Sequence, residues 1–157
     1  MISPRSGYGA QRKEEVAGYG GANMLGEQLG EEVGEITGTR VLPSSGPPKV
    51  EVSFQAQGTL LGMHETNMGT YIAVTRPDGT LFGEGQGVTM TEDGQMASWH
   101  GHGVGRFTGQ GSAVAWRGAI YYQTTSQRLA RLNGIVGVFE YSTDAGGKAE
   151  SKVYEWK

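Results

Sequence analysis

Glu84 and Gln86 alternate along the run Leu81–Thr91, and His100 and His102 alternate along the run Gln95–Phe107 that follows. Both spacings suit β-strands, where residues two apart share a face. A carboxyl set among aromatic side chains becomes a general acid or base once burial raises its pKa. Glu84 has that position if its face is the interior, with Gln86 and Tyr122 to orient it. Two histidines on one strand face can hold a metal ion. The chain places no third ligand beside His100 and His102, His64 being the remaining histidine, so a solvated pair is expected and no metal is assigned.

Which residues share a face follows from the turns. Pro77-Asp78-Gly79 reads as a three-residue turn, which sets Ile72 opposite Glu84 and Val74 opposite Phe82. Asp93-Gly94 reads as a two-residue hairpin loop, which sets Val88 opposite Trp99 and Gln86 opposite Gly101. Carried through the turn at Gly109–Gly111, the same face takes Phe107, Val114, Trp116, Ile120 and Tyr122. This face is read as the interior, with Phe82, Gln86, Trp99, Phe107, Trp116 and Ile120 as ligand-binding residues and Glu84 and Tyr122 as catalytic candidates. Glycines 101, 103, 105 and 118 on it leave volume beside the rings. Glycine weakens a strand, so such a row implies either sharp curvature or something seated in the space. The opposite face carries His100, His102, Arg106 and Arg117, and its apolar stretch at Ala115, Ala119 and Tyr121 suggests self-association.

The elements that hold these residues can be read in order. Residues 1–30 are glycine-rich and polar without sustained alternation, and read as an N-terminal extension with helical character at Gln11–Val16. From Glu31 alternation takes over, so residues 31–157 form the domain. A first strand containing Val33, Ile36 and Val41 ends at Leu42-Pro43, and Val50–Leu61, Thr70–Thr75, Leu81–Thr91 and Gln95–Phe107 follow. Then come Ser112–Thr124, a linker with helical character at Ser126–Asn133, Ile135–Thr143 and Lys148–Trp156. Eight strands joined mostly by short turns predict an all-β fold, a closed antiparallel meander barrel. Closure also removes the edges such apolar strands would otherwise present.

Composition narrows the function classes. The chain has 157 residues, enough for one domain with a real core, and its 28 glycines cluster inside apolar runs, which argues against disorder. A net charge of −3 with no interleaved basic stripe argues against nucleic acid as a partner. With no cysteine there are no disulfides, thiolate metal sites or cysteine nucleophile. No signal peptide or membrane span is readable after Met1, so no membrane partner and a cytoplasmic location are expected. Gly83–Gly87 and Gly101–Gly105 match nucleotide-binding fingerprints only in composition, because no helix N-terminus follows them. No cofactor is expected.

At Gly103–Gly118 the sequence GVGRFTGQGSAVAWRG resembles the glycine fingerprint of the allene oxide cyclase-like barrels, a group that includes plant cyclases and dirigent proteins. Gly103, Gly105, Phe107 and Gly109 match it, whereas Gly111-Ser112-Ala113 stand where Ala-x-Gly is usual. Small bacterial barrels without a characterised function are similar too. The resemblance implies an eight-stranded barrel that binds a hydrophobic molecule in its cavity, in some members steers a cyclisation, and is often oligomeric. No active-site motif of the family is matched, so Glu84 as acid or base is carried by the residue pattern alone. The sequence therefore points to a barrel for a small apolar ligand, with cyclase or isomerase chemistry at Glu84. The competing reading is a non-catalytic barrel with a filled interior that dimerises through its outer face.

Overall fold

The computed structural model describes residues 24–109 and 111–157. The expected helix at Gln11–Val16 and most of the expected extension lie outside the described residues. Eight strands follow in chain order: β1 (Leu25–Leu42), β2 (Lys49–Leu60), β3 (Met63–Thr75), β4 (Leu81–Thr91), β5 (Met96–Phe107), β6 (Val114–Gln123), β7 (Gly137–Thr143) and β8 (Lys148–Trp156). Each pairs antiparallel with its neighbour, and β1 pairs with β8, so the barrel is closed. The linker after β6 becomes a short 3₁₀ turn at Ala130–Gly134. No helix among the described residues is long and apolar enough to cross a membrane.

Two strands start earlier than their sequence pattern indicates. β1 begins at Leu25 rather than near Glu31, and its pairing with β8 shifts register twice between Leu25 and Gly30, which erases the period-2 signal. β3 begins at Met63 rather than Thr70, right after a tight turn in which Leu61 has φ 49° and Gly62 has φ 77°. The extra residues of β3 bury Glu65 and Asn67 and expose Met68, a polar-in pattern that alternation by hydrophobicity does not flag.

The hairpin between β4 and β5 decides the faces. Thr91 pairs with Gln95 through an N–H to carbonyl bond of 2.8 Å, and the Gly94 N–H donates to the Thr91 carbonyl at 2.9 Å. Three residues, Glu92, Asp93 and Gly94, therefore sit in the loop, with Gly94 in the left-handed region at φ 84°. This is the three-residue loop built on a tight turn followed by a glycine, not the two-residue one. Arg76–Thr80 closes the same way, with Gly79 at φ 82°. The additional loop residue moves the partner of Trp99 from the expected Val88 to Gly87, and that of Gly101 from Gln86 to Gly85. A slip of one residue turns every side chain of a strand to the other face. Phe82, Glu84, Gln86 and Val88 consequently point outward, and Gly83, Gly85 and Gly87 point inward.

The inward glycines are matched to rings. A Cβ on Gly83 would lie 2.7 Å from the Trp116 indole, and one on Gly105 would lie 2.9 Å from it. A Cβ on Gly87 would meet Trp99 at 2.4 Å. Bare backbone there lets two indoles lie close against the sheet, which accounts for the glycine row without a phosphate. At one end of the barrel Leu129 and Leu132 of the 3₁₀ turn, both 0% exposed, insert against Leu29, Leu60, Ala97 and Val153. Burying a leucine in this way contributes about 1.5–3 kcal/mol, so the linker acts as a plug. Farther along, Leu81, Val114 and Trp116 pack with Tyr71, Phe139 and Tyr141.

Candidate functional site

Between plug and aromatic cluster lies a polar layer that spans three strands. Glu32 projects inward from β1, Asn67 from β3 and Trp99 from β5. The Asn67 amide donates to both carboxyl oxygens of Glu32, at 3.0 and 3.1 Å, and its oxygen accepts the Trp99 indole N–H at 2.8 Å. The indole thus fixes the amide, and the amide aims the carboxyl. Two residues before Asn67 on β3, Glu65 is 3% exposed and accepts a hydrogen bond from the Thr89 hydroxyl.

Two carboxyls so placed cannot both ionise cheaply. Burial pushes Glu32 up to about 8; the Glu65 charge beside it adds to the rise, and the hydrogen bond from Asn67 opposes it. Burial also raises Glu65, against the lowering effect of its hydrogen bonds to Thr89 and Glu32. Tyr122 is held far above the usual phenol value, first by burial and then by the charges of Glu32 and Glu65. Burial therefore favours the protonated forms of Glu32, Glu65 and Tyr122 in this layer.

Glu32, Asn67 and Trp99 border a cavity of about 90 Å³ whose other walls are largely apolar, among them Phe54, Trp116, Ile120 and Phe139. Tyr71, Tyr122 and Tyr141 also border it. The paired backbone of Gly83–Gly85 and Gly101–Gly103 also borders it. Among the described residues the buried Trp116 Nε1, Tyr141 hydroxyl and Glu65 Oε1 have no hydrogen-bond partner. The Tyr71 hydroxyl neighbours that of Tyr141, but outside hydrogen-bond geometry. An unpartnered buried donor costs about 1–3 kcal/mol. Two such groups at a cavity wall are therefore sites a polar atom of a bound molecule would satisfy.

The sequence-derived residues divide between the two faces. Trp99, Trp116, Ile120 and Tyr122 border the cavity as expected. Phe82 does not: it is 39% exposed on the outer face, with its ring 6.3 Å from that of His102. Gln86 is likewise outside and exposed. Phe107 shares the inner parity but lies at the barrel end, 53% exposed. Glu84 has its side chain 56% exposed on the outer face, where its carboxylate meets His100 and His102. The hairpin register thus turns the Glu84 side chain outward, although the residue still borders the cavity. The third group that sequence could not place beside the two histidines is this same Glu84. Of the arginines, Arg117 on the outer face pairs with Glu140, and in the linker Arg128 pairs with Asp93 and Arg131 with Glu27 and Glu155.

No protein-family model matches the chain, and no curated protein matches it. Solved structures do. A protein of unknown function from Clostridium acetobutylicum ATCC 824 superposes with a TM-score of 0.73 at 12% identity, over 83% of this chain and 95% of that one. A conserved protein of unknown function from Rhodopseudomonas palustris gives 0.71 at 12% identity, over 82% and 95%. A β-barrel-like protein from Acinetobacter baumannii AYE gives 0.71 at 12% identity, over 83% and 94%. What they share with this chain is the barrel.

The inner residues that sequence reading missed left faint signals. Glu65, Asn67 and Gly69 alternate with His64, Thr66 and Met68, and the polar set is the buried one. Glu32 hides in the run Glu31-Glu32-Val33-Gly34-Glu35, where the apolar residue, Val33, is 58% exposed. The usable clue was glycine: Gly34 shares the inner face with Glu32, and a Cβ there would lie 2.7 Å from that of Ala56.

Proposed function

We propose that the barrel binds a small, largely apolar molecule with one polar group in its interior, and that Glu32 supplies the proton chemistry. The observation that carries this is a half-buried carboxyl, aimed by Asn67 and Trp99, at the wall of an apolar cavity. A carboxyl that keeps its proton near pH 7 can protonate or hydrogen-bond a ligand carbonyl or alkene and then return as base. Tyr122, held neutral, and the unpartnered Trp116 indole N–H are further donors for the same ligand. This reading keeps the cyclase or isomerase class expected from sequence and moves the acid from Glu84 to Glu32.

The size of the cavity limits the ligand. A cavity of about 150 Å³ admits benzene, so a space of about 90 Å³ suits a more compact molecule, or a ring-sized one once an aromatic wall residue turns. The test is native mass spectrometry of protein purified without added ligand, followed by tryptophan-fluorescence titration with small cyclic ketones. Saturable quenching that weakens in Glu32→Gln and in Trp99→Phe supports the reading. Binding indifferent to both substitutions, or none at all, rejects it.

A second reading, self-association, draws support from the outer surface. Met68, Met90 and Met96 are 59%, 44% and 51% exposed on β3, β4 and β5, with Tyr121 at 48% nearby on β6. Exposed apolar groups gathered on one side are typical of interaction surfaces. Sedimentation velocity of the wild type against Met68→Lys and Met90→Lys checks it: a dimer that dissociates in the variants supports it, and a monomer in every case removes it.

A further inference from the structure

The outer face of β4 and β5 brings together three side chains that the interior site does not use. His100 and His102, two apart on β5, project on the same side of the sheet, and Glu84 of β4 is the register partner of His102. The Glu84 Oε1 lies 3.2 Å from His100 Nε2 and 3.5 Å from His102 Nε2. The imidazoles stand edge to face with centroids 4.7 Å apart, and one ligand atom from each of the three residues falls within 4.8 Å of the others.

We propose that Glu84, His100 and His102 form a binding site for a divalent transition-metal ion of the zinc type. Ligand atoms on a tetrahedral zinc ion with bonds of ~2.0–2.1 Å are about 3.3 Å apart. The two oxygen–nitrogen separations already bracket that spacing, so the carboxylate is at ligand distance from both imidazoles. Two imidazoles with one carboxylate are a borderline donor set; it suits zinc, cobalt, nickel or copper and disfavours magnesium and calcium, which take oxygen. The strand scaffold supplies rigidity: the backbone between the histidines is paired on both sides, Gly101 with Gly85 and with Ile120. The three side chains are 56%, 47% and 42% exposed, which leaves a coordination position open to water. An ion with three protein ligands and one open position is the arrangement that also polarises a bound molecule.

Zinc chloride titrated calorimetrically into chelator-treated full-length protein tests the site. One equivalent is expected to bind, with the melting temperature rising as zinc is added and a large excess of magnesium failing to compete. His100→Ala, His102→Ala and Glu84→Gln should each weaken binding on the order of 100-fold or more, beyond the loss typical of residues that only hydrogen-bond to a metal ligand. His64→Ala, which removes the remaining histidine of the chain, should bind as the wild type does. Circular dichroism confirms folding of each variant, and Glu84→Gln serves if a histidine variant unfolds. Absence of saturable binding by the wild type, or binding that survives loss of both His100 and His102, overturns the proposal.

Discussion

Glu32 and Glu84 are both strand glutamates set among glycines, and each has nitrogen groups close to its carboxyl. Glu32 faces inward, and its neighbours are an amide, a second carboxyl and apolar rings. Glu84 faces outward, with half its side chain in solvent and two imidazoles beside it. In an apolar interior the cost of charge favours keeping a proton, which is why the inner glutamate is raised. In water the charge is solvated and open to an ion arriving from bulk, so the outer glutamate is suited to be a ligand. The side chain is the same on the two sides of the wall. The face decides the chemistry, and one loop residue decides the face.

The largest expected effect breaks the inner side directly. Trp116 is 4% exposed and lies against Gly83 and Gly105, which have no side chain to refill its place. Trp116→Ala should cost about 3–5 kcal/mol in chemical denaturation, because lost burial and a new void add. Its outward neighbour Arg117, 63% exposed and 3.4 Å from Glu140, should lose less than about 1 kcal/mol on change to alanine. Near-equal losses would mean the interior is not the organised side.

Next in size is the pH response. In the folded barrel Glu32 titrates at about 8, against an ordinary value of 4.5, so the native state holds a proton that the unfolded chain releases between those values. The contribution of Glu32 is therefore complete below about pH 4.5 and is lost as pH rises to about 8. Glu65, also raised and coupled to it, deepens the same trend, while the phenols of Tyr122 and Tyr141 stay protonated throughout. Glu32→Gln should flatten the fall and, above pH 8, exceed the wild type in stability by on the order of a few kcal/mol. Denaturation midpoints measured from pH 4 to 9 check this; a wild-type curve rising across that window would reverse the sign.

The barrel itself was legible in the sequence because turn chemistry survives along the chain and alternation is clearest on β4 and β5, where the burial pattern is nearly period-2. The inner half formed by β5 and β6 was legible too: Trp99, Trp116, Ile120 and Tyr122 border the cavity they were expected to line. The β3–β4 half was inverted because Asp-Gly serves both a two-residue loop and the last two positions of a three-residue one. The Arg76–Thr80 loop, with the same Asp-Gly ending, was the internal guide, since both hairpins close with identical bonding. Glu32, Glu65 and Asn67 were hidden for another reason: hydrophobic alternation marks polar residues as outward, and a barrel with a polar interior layer breaks that rule.

The aiming of the inner carboxyl can be tested apart from its titration. Asn67→Leu removes the donor to Glu32 and leaves the Trp99 indole N–H buried without its acceptor. That should cost about 1–3 kcal/mol and shift the fluorescence of Trp99 to shorter wavelength, as expected for an indole that loses a polar partner. An unchanged spectrum would mean that the indole does not hold the amide in solution, and the inner site would lose its anchor.

The smallest effect belongs to the outer glutamate and sharpens the comparison most, since it repeats the chemistry of Glu32→Gln on the other face. In chelator-treated protein Glu84→Gln should change stability by no more than ~0.5 kcal/mol, because an exposed pair exchanges its partner for water at little cost. The same substitution, one carboxyl to one amide, thus has a consequence of a few kcal/mol inside and almost none outside. A substantial loss at Glu84 without metal would show that the imidazole contacts at 3.2 and 3.5 Å hold β4 to β5 by themselves. The outer cluster would then be a structural clasp rather than a surface kept free for an ion.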